Sequence, residues 1–125
     1  MSFDPLPILV ADGNREVLLA EADLIREAVG VDIVSLCQDV DGAVLAAALH
    51  KPRLAFVDAW LRGGGGAEAA RRIRSVSPDT IVIALASTRQ IEAVVKLRAA
   101  GVAACYEKEL LSVELPAILE GARRE

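Results

Sequence analysis

Four groups able to do chemistry stand where apolar runs of this chain end. They are Asp12 after "ILVA", Asp58 after "LAFV", Ser87 and Thr88 after "VIALA", and Lys108 after "ACYE". Two carboxylates held close together repel, so a divalent cation is the natural third member of such a group. Magnesium prefers oxygen ligands and accompanies phosphoryl groups. A carboxylate beside it can attack phosphorus and become an acyl phosphate. An ammonium would offset charge on the phosphoryl oxygens, and a hydroxyl could hydrogen-bond them. Each of these residues alone reads more readily as a helix cap or a solvated loop charge. Their joint placement at several strand ends is harder to dismiss.

The elements that must position them alternate strictly. Residues 8–11, 31–37, 53–59, 80–87 and 102–107 are short, apolar and rich in β-branched residues, and they predict five strands. Between and after them, residues 15–30, 39–51, 67–77, 89–101 and 112–125 carry apolar side chains at three- and four-residue steps, as helices do. Gly30, Pro52, Pro78 and Gly101 close the first four helices. Ser112 is placed to cap the fifth, with Pro116 then in its first turn. Strands apolar on both faces belong inside a sheet covered by helices on both sides, and alternation forces right-handed crossovers and a parallel sheet. The expected fold is a flavodoxin-like doubly wound α/β sandwich of order 2-1-3-4-5 with five helices, in which function sits beyond the carboxyl ends of the strands. Residues 1–125 read as one domain, which can be part of a longer chain.

Composition narrows the function. The chain is 54% hydrophobic but only 3% aromatic, so its core is aliphatic. A net charge of −4, without a clustered basic face, argues against direct nucleic-acid binding. Cys37, Cys105 and His50 cannot make a convincing zinc site, and both cysteines read as buried thiols. The opening "MSFDPLP" does not read as a signal peptide and no apolar stretch is long enough to span a bilayer, so the expected location is cytoplasmic and off the membrane. The run Gly63–Gly66 is followed by Ala67 and Glu68, which fits neither a Walker loop nor a dinucleotide fingerprint. A flexible loop is expected there. A haloacid-dehalogenase-like phosphatase would need a second aspartate where Trp60 stands.

The segment "KPRLAFVDAWLRGGGGAEAARRIR", with "GVAACYEK" near the end, resembles the receiver domain of two-component response regulators, and the likeness covers roughly residues 6–124. It implies a signalling module in a phosphorelay rather than a turnover enzyme. Asp58 would be the phosphoacceptor, served by a histidine kinase or phosphotransfer protein. The metal, Mg2+, would be held by Asp12, Asp58 and the backbone carbonyl of Trp60, with Lys108 as the site's ammonium and Gly66 as the glycine before the third helix. The likeness also implies a partner surface on the fourth helix, fifth strand and fifth helix, through which two copies can pair.

Departures from that pattern are equally specific. The second of two adjacent acidic residues is replaced by Gly13, which should weaken the metal, and Asn14 offers only a neutral oxygen nearby. The switch hydroxyl position holds Ala86, with Ser87 one residue later. The switch aromatic position holds Cys105, and Tyr106 should face the opposite way. Glu109 follows the lysine where proline is usual, so a trans bond is expected. Arg62 and Gly63 replace the usual loop pair. Two readings stay open: phosphoryl acceptance on Asp58, or a pseudo-receiver that binds partners regardless of phosphorylation.

Overall fold

The computed structural model describes residues 4–87 and 91–124. The elements run β1 (Leu6–Ala11), α1 (Arg15–Arg26), β2 (Val31–Cys37), α2 (Val40–His50), β3 (Leu54–Asp58), α3 (Gly65–Val76), β4 (Ile81–Ala86), α4 (Ile91–Ala99), β5 (Ala104–Glu107), a 3-10 turn (Lys108–Leu110) and α5 (Leu111–Arg124). The strands form one parallel sheet in the order β2-β1-β3-β4-β5, the flavodoxin-like arrangement expected from the alternation. Strand β1 slips one residue against β2 between Ile8 and Leu9. Its pairing with β3 is regular from Ile8–Leu54 to Ala11–Val57.

The two-residue period of the strands sorts the core into two layers. Leu9, Ala11, Ala55, Val57, Val82, Ala84 and Ala86 pack on the side of α2, α3 and Leu97 of α4. Ile8, Val10, Leu54, Phe56, Ile83 and Leu85 pack on the side of α1 and α5. Phe56 is completely buried there. Removing a side chain of that kind from water contributes about 1.5–3 kcal/mol. Tyr106 joins this second layer and Cys105 the first, so the expected opposition of these neighbours is observed.

Local chemistry sets the ends. Asn14 caps α1 by accepting the Val17 N–H at 3.1 Å, and Asp39 caps α2 by accepting the Gly42 N–H at 2.7 Å. Lys51 ends α2 in the left-handed region, at φ 46°. Two boundaries differ from expectation. The helix α5 starts at Leu111, directly out of the 3-10 turn, so Ser112 lies inside it and Pro116 is the sixth residue instead of a first-turn one. The helix α3 starts at Gly65, not at residue 67, because Gly63, Gly64 and Gly65 all take positive φ (93°, 134° and 87°) and turn the chain straight into it. Peptide bonds of the described residues, that before Glu109 included, are trans.

Candidate functional site

Register brings the chemistry to one face. Positions 8, 10 and 12 of β1 and its extension, 54, 56 and 58 of β3, and 104, 106 and 108 of β5 and its extension all share a side of the sheet. Asp12, Asp58 and Lys108 therefore leave three strand ends on the α1/α5 side. Lys108 donates a hydrogen bond from Nζ to Asp12 Oδ2 at 2.7 Å, and the same nitrogen lies 3.3 Å from Asp58 Oδ1. Asp12 is 1% exposed and Asp58 8%. Turn amides donate to the same carboxylates: Asn14 N–H to Asp12 Oδ1 at 2.9 Å, and Trp60 N–H to Asp58 Oδ1 at 3.1 Å. Burial pushes the Lys108 ammonium down, but the Asp12 hydrogen bond and the charges of Asp58 and Asp12 outweigh it and hold its pKa above the usual value.

Other expected members fall variously. Ser87 lines the same pocket, because β4 ends at Ala86 and the chain bends just after it. Ala86 is buried in the opposite layer and brings no hydroxyl to the site. Thr88 lies outside the described residues. Trp60 lines the pocket and is 58% exposed. The Asn14 side-chain oxygen caps α1. Cys37 is buried and its thiol pKa is raised by burial, whereas Cys105 is only half-buried.

The structure adds a residue that strand-end reasoning missed. Glu21 of α1 is 7% exposed, and neither carboxyl oxygen has a partner in hydrogen-bonding geometry. Burial first, then the charge of Asp12, pushes its pKa from 4.5 up to about 8. Its signal was in the spacing, because Leu18, Glu21, Ala22 and Ile25 make up the buried stripe of α1.

The side-chain oxygens that could meet a cation here belong to Asp12 and Asp58. Asp12 accepts a hydrogen bond on each oxygen, and position 13 has no side chain.

Gly66 holds the floor of the site close. Its N–H donates to the Ala59 carbonyl at 2.9 Å, and an added Cβ would lie 2.9 Å from the Asp58 carbonyl oxygen and 3.0 Å from Ala59 Cα. Alanine would gain up to about 1 kcal/mol of helix propensity. The backbone clash wins, and Gly66→Ala is expected to cost about 1–3 kcal/mol net. Urea unfolding checks this, and an unchanged midpoint would refute the close approach.

Comparison with known proteins gives a consistent picture. The family model described as response regulator receiver domain matches residues 8–120. Among solved structures, the signal receiver domain assigned to NarL from Mycobacterium tuberculosis superposes with a TM-score of 0.89 at 21% identity, covering 98% of this chain and 99% of that one. A LuxR-family two-component response regulator from Aurantimonas gives 0.84 at 23% identity, over 94% of this chain and 87% of that one. The response regulator domain of Thermotoga maritima CheB gives 0.80 at 22% identity, over 96% and 95%. No curated protein matches the chain. No helix among the described residues is long and apolar enough to cross a membrane.

Proposed function

Since this chain belongs to the response regulator receiver family, we propose that it is a signalling module whose Asp58 accepts a phosphoryl group from a histidine kinase or phosphotransfer protein. One observation carries the reading: residues 96 positions apart meet, with one ammonium contacting both Asp12 and Asp58. The Trp60 N–H and the Lys108 ammonium both meet Asp58 at Oδ1, and Oδ2 is the oxygen proposed to attack. The Oδ2–P bond forms as the P–N bond of the donor phosphohistidine breaks, and the electron pair stays on the imidazole nitrogen. Lys108 stands where it can balance the new charge on the phosphoryl oxygens. Receiver domains generally bind magnesium at this acidic pocket. Here Gly13 removes one donor, so that affinity is weakened.

The module takes one phosphoryl group per copy instead of turning over a phosphate ester. It works in the cytoplasm, without direct nucleic-acid contact, and can pair with a second copy through α4, β5 and α5, where Val95, Lys96 and Arg98 are exposed. A pseudo-receiver is the second reading, favoured by Ala86 and Cys105, which supply neither switch hydroxyl nor switch aromatic.

Incubation with a small-molecule phosphodonor, followed by intact mass, separates the two. The expected result is one added phosphoryl group, absent in Asp58→Asn. A folded wild-type protein that never gains this mass would leave only the pseudo-receiver.

A further inference from the structure

Arg62 was not expected in the site, yet it lines the same pocket as Asp12, Asp58 and Lys108. Its backbone is pinned from outside the loop: the Arg62 carbonyl accepts the Val40 N–H at 2.8 Å, and Arg62 pairs with Asp39 in an isolated parallel bridge. From there its side chain reaches the loop after β1. A Cβ built on Gly13 would lie 3.3 Å from both Cγ and Nε of Arg62, and 3.6 Å from Cδ. Arg62 thus covers the ground that a side chain at position 13 would need. Gly13 is not at positive φ, so its backbone does not require glycine. What the glycine provides is room. Among the described residues, no carboxylate pairs with the Arg62 guanidinium, so its charge is available to the pocket.

We propose that Gly13 and Arg62 act as a pair that replaces the divalent cation. Arg62 supplies a built-in positive charge, and the site takes a dianionic phosphoryl group between guanidinium and ammonium without needing magnesium. Lys108 is already paired with Asp12 and Asp58, whereas the Arg62 charge stands at the exposed rim of the same pocket. A guanidinium offers a planar fork of donors that matches phosphoryl oxygens, whereas a metal here would find no side-chain donor at position 13. The proposal rests on Asp58 being the phosphoacceptor, but its metal half stands independently of that reading.

Two measurements test it on the full chain. In the first, phosphoryl capture from a small-molecule phosphodonor is followed by intact mass with magnesium or with EDTA. The wild type is expected to capture about equally in both. Arg62→Gln, an exposed-site change, should lose at least about tenfold of the EDTA yield, the scale of one charged hydrogen bond. The double variant Gly13→Asp/Arg62→Gln should capture only with magnesium. In the second, magnesium alone is titrated calorimetrically, which reads the metal half whatever Asp58 does. The wild type should bind at least about tenfold more weakly than the double variant, which regains a carboxylate donor. Wild-type capture that vanishes in EDTA, an Arg62→Gln yield that does not change, or wild-type magnesium affinity equal to the double variant's would each overturn the proposal. If no protein gains mass under any condition, the phosphoacceptor reading and the phosphoryl half both fall, and the magnesium titration still decides whether Arg62 replaced the metal.

Discussion

Raising the pH from about 4.5 to about 8 is expected to destabilise this protein, and Glu21→Gln is expected to remove that slope. Below 4.5 the Glu21 carboxyl is protonated in both folded and unfolded chains, so it contributes no difference. Between 4.5 and about 8 the unfolded chain loses the proton and the folded chain keeps it, so stability falls by about 1.4 kcal/mol per pH unit. Above 8 the loss is complete, on the order of 3–5 kcal/mol. The groups facing Glu21 are Asp12 beyond β1, Asp58 at the end of β3 and Lys108 beyond β5. The two carboxylates raise it and the ammonium opposes them. Urea unfolding at pH 5.5 and pH 8.5 measures the effect. The wild type should be the weaker at pH 8.5, and the Gln variant should be nearly flat. Parallel slopes in the two proteins would show that Glu21 is not the group responsible.

Lys108→Met should be the most damaging single change at the site. Lys108 is the cation paired with both Asp12 and Asp58, and its side chain is only 16% exposed. Its removal leaves two neighbouring carboxylates out of water without a counter-ion, and breaking such a buried pair costs about 3–5 kcal/mol. The damage should shrink in acid, where one carboxyl can take a proton. It should also shrink in Asp12→Asn/Lys108→Met, where one of the two orphaned charges is gone. A double-mutant cycle between positions 12 and 108 measures the coupling. Additive effects of the two changes would mean that the 2.7 Å contact contributes no net coupling in solution.

The chain order of strands and helices was legible because it depends on local patterns. Apolar runs, two periods and punctuating Gly and Pro are visible within a dozen residues. The meeting of Asp12, Asp58 and Lys108 was legible at one remove, because a parallel sheet collects its strand ends on one edge. Glu21 was not found in advance. A glutamate in a buried stripe differs from one on a solvated face only by helical phase, and the strand ends drew the reading away from α1. Arg62 was noted as a departure but not as a member of the site, since its position depends on a contact with Val40 at the start of α2. Ser112 failed as a cap because the 3-10 turn after Lys108 starts the helix early, and local cap chemistry carries no information about that turn.

Trp60 is the chain's single tryptophan, and its N–H holds Asp58 while its indole faces solvent. The protein therefore carries its own optical probe two residues from the proposed nucleophile, with no other indole to dilute the emission. Occupancy of the pocket can be followed by intrinsic fluorescence in an unlabelled sample and on the timescale of rapid mixing.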